Sequence, residues 1–298
     1  MFFGIMCTYQ RPVEALKYLS LLQEQTLAPD IVVIVDNSPG ADLQSLIPQQ
    51  GSPQTEYRYV HSGSNIGPAG AFRLGFDVIR SLLAPSDFVV HLDDDDPPVG
   101  CDHLEHLVRD LCDARTSDTR VAGVALSGGT LNRWTGFVRG ADRTLRLAPV
   151  DHLHGGYLPV FSAAALLDVD SHDPSFFYGF EELELGRRLT RNGWKLLVDS
   201  QLMNQAERLY PKRVRLDGPT AEAVWSRFHK ERNLVRVLRR EGLWVAVLVT
   251  FVTRHLAKPL LLMARNPRRG WHRMMLGWKA TIAGLRNQSG IDPRFIPR

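Results

Sequence analysis

Four short apolar runs in the first hundred residues, each closing on polar side chains, constrain the fold most. They are residues 2–8 (FFGIMCT), 31–36 (IVVIVD), 56–60 (EYRYV) and 87–92 (DFVVHL). Runs this short, rich in β-branched and aromatic residues, read as buried strands. Between the first two, Val13, Leu16, Leu19 and Leu21 or Leu22 recur at helical spacing over 12–25, and Pro12 stands where a first helical turn tolerates it. Residues 67–83 and 103–112 read as further helices and 121–126 as a fifth strand. Strands alternating with helices over short links give a mostly parallel, Rossmann-like sheet with helices on both faces. In such α/β sheets a ligand sits outside the carboxyl ends of the strands. Thr8, Asp36 and the run Asp93-Asp94-Asp95-Asp96 end three of the strands and converge there.

Residues 127–160 are punctuated by glycines, among them Gly128, Gly129, Gly136, Gly140, Gly155 and Gly156, and break into short strand-like pieces. Residues 181–192 read as a helix stopped by Gly193, 195–198 as a strand, and 220–241, 243–265 and 270–286 as helices. The first strand–helix turn, Cys7-Thr8-Tyr9-Gln10-Arg11-Pro12, lacks G-x-G-x-x-G, and no G-x-x-x-x-G-K-[ST] occurs. These absences argue against a dinucleotide dehydrogenase and a P-loop ATPase.

Four adjacent carboxylates after an apolar strand repel one another unless a cation lies among them. Oxygen ligands favour Mg²⁺ or Mn²⁺ shared with substrate phosphates; the bland alternative is a solvated acidic turn before Pro97 and Pro98. The segment Asn65 to Arg73 (NIGPAGAFR) is a loop opening a helix. Its small residues permit close backbone approach to an anion, or equally close helix-on-sheet packing. Glu181, Glu182 and Glu184 open the helix at 181–192. Carboxylates in a first turn suit the helix dipole, and one aimed at the crevice suits a general base.

Taken in order, these segments resemble the inverting glycosyltransferases of the large GT-A family 2 over about residues 2–240. The quoted parts are Thr8-Tyr9-Gln10-Arg11-Pro12, Asp36-Asn37-Ser38, the block from Asn65 to Arg73, the D-x-D-like Asp93-Asp94-Asp95, Gly155-Gly156, and Phe177 to Glu182 (FYGFEE). Phe228-His229-Lys230-Glu231-Arg232-Asn233 resembles the aromatic-x-x-R-N segment of bacterial rhamnosyl- and galactofuranosyltransferases. The resemblance implies a GT-A catalytic domain over 1–225, with a nucleotide-sugar half (1–100) and an acceptor half (101–225). It implies donor binding by Thr8, Arg11, Asp36, Asn65, Gly67, Arg73, Asp93 and Asp94, and Mn²⁺ or Mg²⁺ on Asp93 and Asp95. Glu182 takes the position of the base, with Glu181, Glu184, Gly155, Gly156 and Tyr178 on the acceptor side. The expected donor is dTDP-rhamnose or UDP-galactofuranose, and the acceptor a hydroxyl of a lipid-linked or cell-envelope glycan. Two departures stand out: the metal-site His common after the base is replaced by Leu202-Met203-Asn204-Gln205-Ala206, and the base motif reads Glu-Glu. The missing His is the main support for an alternative, a catalytically silent nucleotide-sugar-binding or scaffold protein. A nucleotidyltransferase fits less well, lacking a Gly-rich loop after the first strand.

Charge divides the chain. Residues 226–298 hold 16 Lys+Arg and 3 Asp+Glu, whereas residues 1–225 hold 20 and 29. In the basic part Trp, Met and Leu interleave with Arg, Lys and His, which suits an anionic membrane surface. Its longest charge-free run, 243–253, is short for spanning a bilayer. The other reading is a helical face packed on the catalytic domain or on a second copy in a homo-oligomer. Nucleic acid is not an expected partner, since no binding module accompanies the charge. Three scattered cysteines and an N-terminus without a basic, apolar leader suit a cytoplasmic setting on the inner membrane face.

Overall fold

The computed structural model describes residues 1–47, 55–209 and 224–296. In chain order the first elements are β1 (Phe2–Thr8), α1 (Pro12–Gln23), β2 (Ile31–Asp36), β3 (Glu56–His61), α2 (Gly67–Ile79), β4 (Phe88–Asp93), α3 (His103–Ser117) and β5 (Val121–Ala125). There follow β6 (Gly128–Leu131), β7 (Val138–Gly140), β8 (Leu147–Val150), β9 (His152–Leu153), β10 (Val160–Ser162), α4 (Ala163–Val169), α5 (Glu181–Arg191), β11 (Lys195–Asp199) and α6 (Ser200–Leu209). The chain ends in α7 (Val224–Arg240), α8 (Trp244–Thr250), a π-helical segment (Phe251–Ala257), α9 (Lys258–Arg265) and α10 (Pro267–Leu285). Residues 220–223 of the expected helix at 220–241 lie outside the described residues.

The chain forms two compact units. The first comprises Met1–Gly129, Gly140–Pro174 and the stretch from Glu182 through α6. Its sheet has the order β3-β2-β1-β4-β10-β5-β11-β8. β1, β2, β3 and β4 run parallel, as does β11 beside β5. β10 is antiparallel to β4 and β5, and β8 to β11, so the sheet is mixed at one side.

Period-2 alternation sorts the strand residues onto two faces. Phe3, Ile5, Val33 and Val35 join Phe72, Phe76 and Ile79 of α2 and Leu185 and Leu189 of α5. Met6, Val32 and Ile34 join Tyr18, Leu19 and Leu22 of α1 and Leu104, Leu107 and Leu111 of α3. Each such aliphatic side chain contributes about 1.5–3 kcal/mol when fully buried, which fixes the strand register. The register then sets the site, with Thr8 opposite Asp36 and Cys7 opposite Asp93.

The second unit comprises Thr130–Arg139, Ser175–Glu181 and the chain from α7 onward. α7 carries Arg232 and Arg236, both fully buried cations. Arg232 donates to Gly290 O at 2.7 Å and Arg236 to Ser175 O at 2.8 Å. Burial, with Arg236 adding to it, pulls Arg232 down to about 10. Buried charges are tolerated only with such partners. α8, the π segment and α9 form one continuous helical stretch, Trp244–Arg265, long and apolar enough by length and composition to cross a bilayer. The sequence argued otherwise because polar residues interrupt the stretch. Two of its polar side chains, Thr250 and His255, are buried, with His255 meeting Glu231 at 2.9 Å and Thr281 at 2.8 Å, while Lys258 and Arg265 stay exposed. Trp244, Val245, Leu248, Leu260 and Leu261 stay exposed.

Candidate functional site

The carboxyl ends of β1, β2 and β4 build the first half of the site. Thr8 Oγ1 donates to Asp94 Oδ2 at 2.7 Å, and Arg11 Nη1 reaches Asp94 Oδ1 at 3.1 Å and Asp95 Oδ2 at 2.5 Å. Asp36 is buried; its Oδ1 accepts from Ser38 N at 2.9 Å and its Oδ2 from the Tyr59 hydroxyl at 3.0 Å. Thr8, Gln10, Arg11, Pro12, Asp36, Ser38 and Leu43 line a cavity of about 380 Å³, within the size range of small-ligand clefts. The sequence-expected residues Thr8, Arg11, Asp36, Asp93, Asp94 and Asp95 are therefore brought together. Ser38, Tyr59 and the left-handed Gln10 (φ 55), whose N–H donates to Ser38 Oγ at 2.8 Å, were missed. Gln10 and Ser38 stood inside the quoted segments at 8–12 and 36–38, but no local signal gave them a role.

Asp93, Asp94 and Asp95 each offer a carboxylate oxygen, all within 4.8 Å of one another. Desolvation, then the charges of Asp95 and Asp94, hold the Asp93 carboxyl well above its usual range. Burial also pushes Asp94 up, against the pull of Thr8 and Arg11. The hydrogen bond to Asp95 and both carboxylate charges raise the Arg11 guanidinium. Carboxylates so crowded match the hard, oxygen-rich donor set of Mg²⁺ or Mn²⁺, and a cation among them relieves the strain on Asp93.

At the start of α2, Asn65 Oδ1 accepts from Gly67 N at 2.9 Å and ties the turn. Asn37, after β2, donates to Gly67 O at 3.2 Å. Arg73 departs from the expected donor pocket. It points along α2, with Nε at 3.0 Å from Asp77 and Nη1 at 2.7 Å from Asp170. One and a half turns into the helix, its side chain meets carboxylates on its own side of the sheet before any ligand.

The second half of the site centres on Glu182. Its Oε1 accepts from Gly155 N at 2.5 Å, in a 3₁₀ turn over Gly155–Tyr157 that includes Gly156. A Cβ on Gly155 would lie 2.7 Å from that oxygen, so any larger residue would push the Glu182 carboxylate back. Glu182 shares a small cavity with Phe72, His91, Leu153, Phe161 and His172. His91 stacks on Phe72 with ring centroids 4.5 Å apart and lies 4.9 Å from the His172 ring. Burial drives His91 down to about 3 and His172 well below its usual value, so both are neutral imidazoles. His91 precedes Asp93 by two positions on β4, so both point to one face of the sheet. This histidine pair was not singled out from sequence, where His91 read as one residue of a buried strand.

Other acceptor-side expectations resolve differently. Glu184 is buried and accepts from Arg188 Nε at 2.8 and 2.9 Å, and Arg188 also donates to Val169 O and Ser171 O. The spacing of four sets Glu184 against Arg188 on α5 as a buried ion-pair partner. Glu181 is buried at the start of α5. Within the second unit, Tyr178 packs on Trp225 at 4.8 Å. There the Arg-Asn segment has a structural task. Asn233 Nδ2 lies 2.6, 3.0 and 2.8 Å from the carbonyl oxygens of Phe176, Tyr178 and Gly179. Gly179 takes φ +81 against Lys230, a conformation and a space that a side chain would spoil. The loop that leads into the Glu-Glu pair is thus clamped by α7.

Of the substitutes for the missing histidine, Asn204 and Gln205 lie on α6, half-buried and exposed respectively. His229 is fully buried, donating from Nδ1 to Trp225 O at 2.8 Å and accepting at Nε2 from Asp292 N at 3.2 Å. Both its ring nitrogens are engaged, which removes it as a metal ligand.

No family model matches the chain. It is similar to galactofuranosyltransferase GlfT1 of Mycobacterium tuberculosis (strain ATCC 25618 / H37Rv), 29% identical over 206 residues, covering 64% of this chain and 65% of that protein. GlfT1 of Mycolicibacterium smegmatis is 28% identical over 204 residues, with the same coverage of 64% and 65%. The match thus spans just under two-thirds of the length of these relatives. Among solved structures, the mannosyltransferase PcManGT from Pyrobaculum calidifontis, in complex with GDP-Man and Mn²⁺, superposes with a TM-score of 0.55 at 16% identity over 95% of this chain and 86% of that one. GalNAc-T7 with UDP, GalNAc and Mn²⁺ gives 0.51 at 11% identity over 67% and 42%. The chain has the GT-A glycosyltransferase fold.

Proposed function

We propose that the chain is a metal-dependent inverting glycosyltransferase that moves a sugar from a nucleotide-diphosphate donor to a hydroxyl of a lipid-linked or other cell-envelope glycan. The observation that carries this reading is the convergence of Thr8, Arg11 and Asp36 with the Asp93–Asp95 carboxylates at the ends of three parallel strands. The similarity to GlfT1 favours UDP-galactofuranose over dTDP-rhamnose as the first donor to try.

In this reading Asp36, Thr8 and the Gln10–Ser38 turn bind the nucleoside end of the donor. Asp93 and Asp95 hold a divalent cation, which when bound neutralises charge developing on the departing diphosphate. Arg11, which holds Asp94 and Asp95, would also be placed to bind the phosphates of the donor. Gly155 N–H fixes Oε1 of Glu182, so that Oε2 takes the proton of the acceptor hydroxyl as it attacks the anomeric carbon in line. A positioned base of this kind contributes ~10²–10⁴-fold in rate. The neutral His91–His172 pair keeps positive charge away from Glu182. The exposed apolar side of Trp244–Arg265 and the basic α10 rest on the anionic inner face of the membrane, where a lipid-borne acceptor lies.

One observation favours a second reading. Arg11 already bridges Asp94 and Asp95, as a built-in cation would, which suits a silent nucleotide-sugar-binding protein. Incubation of the purified chain with UDP-galactofuranose or dTDP-rhamnose, Mn²⁺ and a lipid-linked acceptor tests both. Metal-dependent transfer supports the enzyme; donor binding that ignores Mn²⁺ and yields no product supports the silent protein.

A further inference from the structure

His91 and His172 are buried, and His91 Nε2 and His172 Nδ1 have no hydrogen-bond partner among the described residues. Their ring centroids lie 4.9 Å apart. Both rings line the cavity beside Glu182, whose other walls include Phe72, Leu153, Phe161 and Leu185. A buried polar atom without a partner forfeits its hydration, so two of them around one cavity point to something that binds there. The backbone that delivers His172 is itself constrained. Asp170 and Ser171, the two residues before it, are both left-handed, at φ 60 and 52. Outside glycine that conformation persists only where the surroundings enforce it. Three arginines do so here. Arg73 donates to Asp170 O at 2.9 Å and to Asp170 Oδ2 at 2.7 Å, Arg80 donates to Asp170 Oδ1, and Arg188 donates to Val169 O and Ser171 O.

The cavity encloses about 10 Å³ of free volume, room for about one water molecule and for nothing larger. A water is held by two or more polar partners, and three border this cavity: His91, His172 and the Glu182 carboxylate. Water both donates and accepts, so it suits either tautomer of each ring. Two imidazoles and a carboxylate are also a donor set for a transition metal. Among the described residues, however, only Asp93, Asp94 and Asp95 bring three ligand atoms within 4.8 Å of one another. The histidine pair is therefore too open for a shared ion and suited to a bridging water. Gly155 N already fixes Glu182 Oε1. One bond leaves the carboxylate free to turn about it, and a second from a held water sets its plane.

We propose that one ordered water joins His91 Nε2, His172 Nδ1 and the Glu182 carboxylate, which makes the two histidines positioning residues for the base. The role of the base rests on the transferase reading above, but the water is observed without transfer. A high-resolution crystal structure of the full chain is expected to show a solvent peak within about 3.2 Å of both ring nitrogens and of a Glu182 oxygen. The lack of any one of these three contacts overturns the proposal. Two substitutions then separate water holding from ring packing. His172→Phe keeps an aromatic ring and removes Nδ1, whereas His172→Asn removes the ring and keeps a polar atom near the place of Nδ1. In His172→Phe kcat is expected to fall about tenfold with the donor KM unchanged, and in His172→Asn to stay within about threefold of the parent. An equal loss in both, the reverse order, or a His172→Phe protein that transfers at the parent rate overturns the proposal. If His172→Asn does not fold, His91→Gln beside His91→Phe makes the same comparison at Nε2. A parent protein that holds the water on all three contacts and transfers no sugar upholds the site and counts against the glycosyltransferase reading alone.

Discussion

Replacing Gly155 by alanine isolates the placement of the proposed base. The added Cβ would lie 2.7 Å from Glu182 Oε1, where ordinary contact starts near 3.4 Å. The carboxylate must retreat by roughly 0.7 Å, and its bond from Gly155 N lengthens; misplacement near 1 Å costs about 10²-fold in rate. That is about 2.7 kcal/mol of barrier. The atom that yields is the free end of a half-buried side chain, so the loss of folding stability is expected below about 1 kcal/mol. Donor binding, at Thr8, Arg11 and Asp36, is expected to be unchanged. Steady-state transfer, donor titration calorimetry and urea denaturation read the three quantities. Transfer at the parent rate with a normal melting curve would falsify the role given to the Gly155–Glu182 bond, and donor affinity falling in step with rate would place Glu182 on the donor instead.

Further outcomes are expected. Asp93→Asn removes one of three mutually repelling carboxylates, so the melting temperature without metal is expected not to fall, while the rise on adding Mn²⁺ disappears; a normal Mn²⁺ shift contradicts the metal assignment. Asn233→Ala leaves carbonyls of Phe176, Tyr178 and Gly179 without their buried amide and is expected to cost about 1–3 kcal/mol in urea unfolding; an unchanged midpoint refutes the clamp. His229 is lowered from 6.5 to about 4 by burial. The unfolded chain therefore binds more protons between those values, and stability is full above pH 6.5 and falls progressively down to about pH 4. His229→Gln is expected to flatten this slope, and an unaltered pH dependence of unfolding contradicts it.

Much of this was legible in the sequence because its signals are local. The runs at 2–8, 31–36 and 87–92 became β1, β2 and β4, since continuous β-branched apolar segments bury on both sheet faces, and parallel pairing then aligns Thr8, Asp36 and Asp93. Local patterning said little about side chains whose partners lie far along the chain. Arg73 sits about one and a half helical turns from a plausible anion site, yet Asp170 captures it from 97 positions away. Glu184 was read by its neighbours in sequence, whereas its direction is set by the pair with Arg188. Nor does an eleven-residue charge-free stretch reveal that His255 turns inward to Glu231 while Trp244, Val245, Leu248 and Leu261 of a 22-residue helical stretch stay exposed. His91 and His172 were silent for the same reason: 81 positions separate two rings whose meeting depends on β4 and the end of α4.

The most direct test of the central claim is the rate of sugar transfer by Glu182→Gln beside its donor affinity, both with Mn²⁺. Turnover is expected to fall by about 10²-fold or more with donor affinity nearly unchanged. A variant that transfers sugar at the parent rate would contradict the assignment of Glu182 as the base and, with it, the chemistry derived for the site.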